Sequence, residues 1–512
     1  MKAIIRQRLK KAKRRIERRL RPIAWEEQAK PMLAARNIQY EIAERGHAVA
    51  AGGIGVMHLV AQRSGLVELI NQNVRVLKRH LPYHESDHVL SIAYNVLCGG
   101  SRLEHIEHRR NDEAYLDALG AQRIPDPTTA GDFCRRFTAP EQIDCLMDSI
   151  NEARLNVWKQ QPKKFFDEAV IDADGTIAET TGECKQGMDI AYNGKWGYHP
   201  LVVSLANTSE PLYLSNRSAN RPSSEDAADY LDRAVMLCRR AGFKKVRLRG
   251  DTDFTQTVHL DRWNADGVKF VFGVPAWGNL VDMAENLENR AFSPLHRQAK
   301  YDVKTEPRER PENVKERIVR EREYKNFRLV SEELAEFDYC PTKCKTSYRV
   351  IALKKNLSVE RGERRLFDDI RWFFYITNDR KKSAAGIVRD ANCRCNQENL
   401  IAQLKGGAKT MTMPVDTLVS NWAYMVMASL AWTLKAWAAL LLPENGRWAQ
   451  KHQEEKRTLL RMEFATFTQT FVQMPAAIIR TGRRILYRLL SWNPWQHVFF
   501  RLLDQLRLPL RC

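Results

Sequence analysis

The order of its segments makes this chain an α/β protein: a mixed sheet with flanking helices, interrupted by a β-rich insertion, plus helical N- and C-terminal regions. Three observations predict that class. Residues 165–275 alternate short apolar runs with stretches of helical periodicity. Two further strand-like runs, "SYRVIALKKN" and "IRWFFYITND", lie between residues 347 and 379. The segments before and after carry apolar residues at three- and four-residue spacing.

Of the 512 residues, 44% are hydrophobic and 28% charged, as in globular proteins. That length suits about two to four domains. The net charge of +20 points to a polyanionic partner, nucleic acid first and an anionic membrane second. Residues 1–22 supply eleven Lys/Arg against the single acid Glu17, with Ile4, Ile5, Leu9, Ile16 and Leu20 near helical spacing. Residues 1–24 are therefore expected to form a basic arm that turns helical on phosphates.

Residues 25–160 are expected to be helical, either as a region that binds DNA ends or as a plain helical packing domain. In "IPDPTTAGDFCRRF", Thr129 with Asp132 has the spacing of a capping box. Arg135 and Arg136 beyond it are candidate DNA contacts. The glycines of "GGIGVM" follow a helical segment instead of a strand, which argues against a dinucleotide fingerprint. His105 and His108 suit a solvated surface better than a metal.

The core begins at 161–275. "FFDEAVIDADGT" is an apolar run ending in acids. "HPLVVSLAN" and "EPLYLSNRS" form a hairpin. "SSEDAADYLDRAVMLCRRAG" is an amphipathic helix, serine-capped and closed by Gly242. "KKVRLRGDTDF" is a strand running into acids, "TQTVHLDRWNADG" a helix and "VKFVFGVP" a strand. Residues 276–378 are the β-rich insertion, entered through the charged, proline-interrupted stretch 303–327.

Residues 379–442 return to the core. "CRCNQENLIAQLKGG", 393–407, is a helix ended by Gly406-Gly407. The run "LVSNWAYMVMASLAWTLKAWAALLL" is long enough to cross a bilayer. It contains Asn421, Ser429 and Lys435 and spreads its Trp and Tyr throughout, so a buried core helix is expected and no membrane. Residues 443–512 are expected to be helical. No uninterrupted apolar run follows the basic N-terminus, so no signal peptide is expected. The ten cysteines accordingly suit reduced cytosolic thiols. Neither Cys340/Cys344 nor Cys393/Cys395 has the spacing of a zinc ribbon or finger.

The acids carry the chemistry. Asp172 and Asp174 end one strand, and Asp251 and Asp253 end another. Ligands of open α/β sheets gather beyond carboxyl ends of strands. Carboxylates brought side by side there repel unless a proton or cation intervenes. Arg394, Glu398 and Lys405 share one helical face, because offsets of −4 and +7 fall within about 40° of the starting position. Asp174, Asp251 and Glu398 together would suit Mg²⁺ or Mn²⁺. Two such ions can activate a water and stabilise a leaving phosphodiester oxygen, with Arg394 and Lys405 neutralising phosphate. Alternatively the aspartates cap loops and the Arg/Glu/Lys face is a surface ion-pair ladder.

The constellation resembles the DDE transposases of bacterial insertion sequences. "DADGT" is similar to their first-aspartate motif and "RGDTDF" to their second. One branch has a β-strand insertion and a signature of Tyr, Arg, Glu and Lys around the glutamate. This chain supplies Arg394, Glu398 and Lys405 at those spacings, with Ala391 at the tyrosine position. The resemblance spans about residues 125–440 and implies a ribonuclease-H-like core, with catalytic and metal-binding Asp174, Asp251 and Glu398; Asp172 and Asp253 are second choices. It implies cleavage of double-stranded DNA at element ends and strand transfer into target DNA. It further implies a homodimer in a synaptic complex and a bacterial cytoplasmic, nucleoid-associated location. "RWFFYITND" is similar to the strand that stacks a flipped base in some relatives, which makes Trp372 the candidate. It would face away from the core if Phe373 faces in. A metal-dependent nuclease without strand transfer, or a DNA-binding regulator with an inactive core, are the rival readings.

Overall fold

The structure is a computed structural model describing residues 3–19, 48–80, 82–297, 314–361, 364–481 and 484–508. The basic segment forms α1 (Ala3–Arg19), and residues 20–24 of the expected arm lie outside the described residues. After β1 (Ala48–Val49) come α2 (Ile54–Arg63), α3 (Leu66–Asn73), α4 (Glu85–Leu97), α5 (Ile106–Arg110), α6 (Glu113–Leu119), α7 (Pro127–Arg135) and α8 (Pro140–Trp158). Residues 25–47 of the expected helical region also lie outside the described residues. Helix α7 starts earlier than the Thr129/Asp132 pattern predicts. Asp126 is its cap, accepting from the Thr129 N–H at 2.9 Å, and Pro127 opens the first turn. Proline has no N–H to leave unsatisfied there.

The core segment gives β2 (Ala169–Gly175), then a small sheet of β3 (Ala178–Glu179), β4 (Asp189–Ile190) and β5 (Trp196–Tyr198) with β5 central. The expected hairpin follows as β6 (Leu201–Leu205) and β7 (Glu210–Ser215). Helix α9 (Ala227–Ala241) ends, as predicted, at Gly242 with φ +96°. Its N-cap is Asp226 instead of a serine. Then come β8 (Val246–Gly250), α10 (Leu260–Ala265) and β9 (Lys269–Val274).

The insertion comprises α11 (Gly278–Glu285), β10 (Ser293–Pro294), α12 (Val314–Glu321), β11 (Lys325–Tyr339), β12 (Tyr348–Arg361) and β13 (Arg364–Thr377). It continues the core sheet, because β13 pairs antiparallel with β9, Phe374 facing Val274. One nine-stranded sheet results, in the order β10-β11-β12-β13-β9-β8-β2-β6-β7. Strand β11 is a third long strand, beyond the two expected; only its first three residues lie in the charged stretch 303–327. Its acids are satisfied across the ladder: Glu332 lies 3.4 Å from Lys355 and Glu333 4.0 Å from Lys354. Opposite charges facing each other on one sheet surface favour the pairing.

The chain returns through α13 (Ala384–Asn392), α14 (Cys395–Ala402) and α15 (Leu418–Leu440), then α16 (Ala449–Arg461) and α17 (Phe464–Phe467). The last part differs from the helical expectation. A hairpin of β14 (Ala476–Thr481) and β15 (Arg484–Leu489) pairs with β1, and only then does α18 (Gln496–Leu506) follow. The β-branched residues of "AAIIRTGRRIL" fit a strand ladder better than a helix.

Helix α15 is long and apolar enough to cross a membrane, yet it is buried along its length inside the protein, as expected. Three tryptophans spread over its turns bond the β6–β7 hairpin: Trp422 Nε1 donates to Leu214 O, Trp432 Nε1 to Ser209 O and Trp437 Nε1 to Glu210 Oε1 at 2.5–2.9 Å. Glu210 is wholly buried and also accepts from Arg154 Nε and Trp158 Nε1 of α8, each at 3.1 Å, and from Thr208 Oγ1. One carboxylate thus joins the N-terminal helices, the sheet and the central helix.

Lys435 is buried on α15, its Nζ over the Trp432 ring at 3.7 Å and donating to Leu460 O at 2.9 Å. Burial pushes its amine down to about 7. A depressed lysine loses its proton in the folded chain first, so its penalty is constant below pH 7 and shrinks as pH rises further towards 10.5. Lys435→Met should therefore stabilise the protein in denaturant titrations at pH 6, on the order of 2 kcal/mol. The gain should diminish above pH 8.

Candidate active site at the ends of two parallel strands

Strands β2 and β8 run parallel, with Asp172 opposite Arg249. Both are buried, and Arg249 grips Asp172 in two bonds, Nε to Oδ1 at 2.6 Å and Nη2 to Oδ2 at 2.7 Å. Side chains on a strand recur on one face every second residue. Continuing the register by two residues therefore brings Asp174 abreast of Asp251 on the same face. Arg394 reaches both: its Nη1 lies 3.0 Å from Asp174 Oδ2 and 3.8 Å from Asp251 Oδ2. Asp251 also caps the following turn, accepting from the Asp253 N–H at 3.0 Å. Of the second choices, Asp172 is consumed by its ion pair and Asp253 is exposed.

Glu398 arrives on α14, and its neighbour Gln397 fixes that helix. The buried Gln397 amide donates to Val202 O at 2.9 Å and accepts from Ser204 Oγ. Val202 and Ser204 on β6 are the cross-strand partners of Asp174 and Asp172. The helix is therefore docked against the strand that carries the first aspartates. Arg394 sits at its N-cap, so the expected 393–407 helix begins two residues late, at Cys395, and ends in a wider turn over Gln403–Gly407. Lys405 lies in that turn and donates to Ile177 O at 2.7 Å and Thr176 Oγ1 at 3.3 Å. Arg394 and Lys405 thus both hold the end of β2 and the turn after it.

Burial raises the Asp174 carboxyl to about 6, with the charges of Asp251 and Glu398 pushing the same way and Arg394 opposing. Burial also raises Asp251, again against Arg394. Burial lowers the Lys405 amine. Arg394 faces the two aspartates, while Glu398 is exposed and acts on Asp174 through its charge. The ligand atoms of Asp174, Asp251 and Glu398 do not all lie within 4.8 Å of one another, although oxygen donors of this kind suit a hard divalent cation.

Trp372 is half-buried on the face of β13 that carries Phe374, against Phe292, while Phe373 is 42% exposed with Lys355 Nζ 4.8 Å from its ring centroid. The condition for an outward Trp372, Phe373 facing in, is reversed. Arg135 is exposed but paired with Asp132 at 3.0 Å and Asp416 at 2.8 Å; Arg136 is exposed. Among the described residues, Cys340 and Cys344 are neighbours, Cys340 Sγ lying 3.5 Å from Cys344 O. Ligand atoms of three His, Cys, Asp or Glu side chains approach within 4.8 Å of one another, among the described residues, only at His80, His84 and Glu85. Sequence reasoning missed that group, although "HLPYHE" shows the ligand types. It also missed Gln397 and His199. His199 packs beside Gly175, where an added Cβ would lie 2.6 Å from its Nε2; no spacing rule links it to the acids.

A family model described as "Transposase DDE domain group 1" matches residues 31–510. No curated protein matches the chain. Among solved structures, one described as a piggyBac transposase synaptic complex with hairpin DNA aligns over 83% of this chain and 84% of its own, with 8% identity and a TM-score of 0.36.

Three outcomes follow from the site. Asp174 has a folded-state value of about 6 against an ordinary 3.8. Its contribution is present below the ordinary value and is lost as pH rises through 6. Asp174→Asn should therefore raise the metal-free melting temperature at pH 8 and change it little at pH 4. Adding Mg²⁺ or Mn²⁺ at pH 8 should raise the melting temperature of the unmodified protein and raise that of Asp174→Asn distinctly less. Arg249→Met should cost about 3–5 kcal/mol in chemical denaturation by stranding buried Asp172, and the double variant Arg249→Met/Asp172→Leu should recover much of it.

Proposed function

The chain belongs to the DDE transposase family, and from that membership we propose that it is the transposase of a bacterial insertion sequence, cutting and joining DNA at Asp174, Asp251 and Glu398. The observation that carries this reading is the shared contact of Arg394 with Asp174 and Asp251, at 3.0 and 3.8 Å, beyond two parallel strands. The strand order β7-β6-β2-β8-β9, antiparallel on one side of β2 and parallel on the other, supports a ribonuclease-H-like core.

In this reading the three carboxylates hold Mg²⁺ or Mn²⁺, two ions in the working complex. When bound, the metal supplies charge stabilisation for the attacking and leaving oxygens of in-line displacement. The remaining work belongs to the chain. Gln397 sets the angle from which Glu398 approaches. Arg394 holds Asp174 and Asp251 together before DNA arrives, then stays at the site as a guanidinium that can pair a phosphate through two parallel bonds. Lys405 keeps the turn at Thr176–Ile177 against the helix and adds positive charge beside the scissile strand. Cleavage first frees a 3′ hydroxyl by hydrolysis; that hydroxyl then attacks a second phosphodiester, so the number of phosphodiester bonds is unchanged in the joining step. The helical N-terminal region with Arg135 and Arg136, and the basic α1, would bind the element ends, in a homodimer that pairs two of them. The half-buried Trp372 would need its packing against Phe292 and Phe374 opened to stack a base.

Asp174→Ala, Asp251→Ala and Glu398→Ala should each lower strand cleavage by at least about a thousandfold while leaving end binding within about threefold. A variant that cuts at the unmodified rate removes its residue from the site. Arg394→Ala should weaken both DNA engagement and cleavage. A pre-cut end offered with target DNA separates the transposase from a nuclease that cuts without joining: joined product is expected, and its absence with cutting intact would favour the nuclease.

A further inference from the structure

The stretch "HLPYHE", residues 80–85, lies between α3 and α4 and takes no part in the site at the strand ends. His80 closes the segment that follows α3, His84 is the N-cap of α4 and Glu85 its first residue. One ligand atom from each of the three lies within 4.8 Å of the other two. The tightest pair is His80 Nε2 and Glu85 Oε2 at 3.0 Å. A tetrahedral zinc with bonds of about 2.0–2.1 Å holds its ligand atoms about 3.3 Å apart. One pair is already that close, and the others need a closure of at most about 1.5 Å to reach zinc spacing. His80 and His84 are both exposed, their rings stacked with centroids 4.5 Å apart and planes 16° from parallel. Side-chain rotation of two exposed imidazoles can supply that closure without moving the backbone.

Glu85 is a second, independent pointer to a cation. Its side chain is 2% exposed, and among the described residues its one ion-pair partner is His80. A buried carboxylate is costly unless a cation or a filled set of donors compensates it. Oε1 accepts from the Leu77 N–H at 3.2 Å. That bond orients the carboxylate and leaves Oε2 turned to His80, as outer hydrogen bonds orient metal ligands. The surrounding chain is anchored as well. Tyr83 OH donates to Ile124 O at 2.9 Å, and the Ser86 N–H to Asn71 Oδ1 at 3.0 Å. Asp87 Oδ2 accepts from the His84 N–H at 2.9 Å, so two acids in the first turn offset the positive end of the α4 dipole.

We propose that His80, His84 and Glu85 bind one Zn²⁺ through two imidazole nitrogens and a carboxylate oxygen, with water as the fourth ligand. Nitrogen donors favour zinc and its transition-metal neighbours over Mg²⁺, so this site takes a different ion from the acids at the strand ends. The ion clasps residues 74–80, which carry the exposed Arg75, Lys78 and Arg79, to the start of α4. Helix α4 in turn stacks His88 on Phe133 of α7. The clasp therefore steadies a basic segment on the same helical unit as Arg135 and Arg136. The inference depends on none of the residues of the transposase reading.

The test uses the full chain, stripped with EDTA, desalted, kept reduced and held in excess Mg²⁺. Zn²⁺ is titrated by calorimetry, and limited trypsin digestion reads the clasp at Lys78 and Arg79. Zn²⁺ should bind the unmodified protein and slow cleavage after those two residues about tenfold, since cleavage tracks the population of the open segment. Mg²⁺ alone should give no protection. His80→Ala and His84→Ala remove exposed side chains; each should keep the fold by circular dichroism, lose one equivalent of Zn²⁺ and lose the protection. Zinc held by cysteines elsewhere would persist in both variants and leave the two cleavage sites unprotected. Equal zinc binding by the unmodified protein and both variants, protection that survives either substitution, or equal protection by Mg²⁺ overturns the assignment. Zinc lost from the variants with cleavage unaffected throughout would keep the ion and overturn the clasp.

Discussion

The buried bond pair between Asp172 and Arg249 is the constraint on which the site depends. A β-strand has a two-residue side-chain period, so slipping β2 against β8 by one residue would turn Asp174 to the opposite face. It would also separate Asp172 from Arg249 and leave two uncompensated charges in the interior. Such an ion pair is poor evidence of net stability, since an apolar pair of similar volume often serves as well. Its effect here is on selection among registers. Arg247 extends the same logic at the other end of β8, where it pairs with Glu168 and Asp379 at 3.1 and 3.0 Å. Arg247, Arg249 and Asp251 thus line one face of β8, the first two neutralised and the third left at the open end.

Holding that strand pair in place requires a sheet that cannot flex, and Glu210 shows how the rest of the chain supplies one. A carboxylate with no exposed surface is tolerable only with its acceptor sites filled. Arg154 and Trp158 come from α8, Trp437 from α15 and Thr208 from the hairpin turn. Hence the N-terminal helices are not an appendage that could be removed from the core. They provide the cation for the buried acid beneath the sheet's edge strand. The same node explains the odd composition of α15, whose indoles serve as donors to a strand edge and an acid as well as apolar bulk.

Local patterns made much of this legible. The strand–hairpin–helix order, Gly242 as a helix stop, the buried character of α15 and the two acid-ended strands all follow from residue types within short windows. What stayed hidden depends on partners far away in the chain. Glu332 and Glu333 look solvated until Lys354 and Lys355 face them, so nothing local marks β11 as a strand. The β14–β15 hairpin draws in β1, more than four hundred residues earlier, and neither half announces the other. The facing of Trp372 is set by Phe292, outside its own strand. Spacing put Arg394, Glu398 and Lys405 on one face of a regular helix, but the wider turn over Gln403–Gly407 breaks that period before Lys405, and the bond from Arg394 to both aspartates needed the register that Asp172 and Arg249 impose.

Arg394 has consequences for how such a site can be built at all. Two aspartates side by side in a partly buried pocket, with nothing between them, would raise each other's proton affinity until a proton neutralised the pair. A guanidinium stays charged at any pH the protein meets. It therefore opposes the upward push of burial on both Asp174 and Asp251, holding the Asp174 carboxyl at about 6. A lysine there would be a weaker device, because burial already depresses the amines of Lys405 and Lys435 in this same fold. Arginine also offers several donors, so one can stay on an aspartate while others turn to a phosphate. The residue that offsets repulsion between the two aspartates is thus also chemically able to pair a phosphate, which a purely structural counter-ion would not need to be.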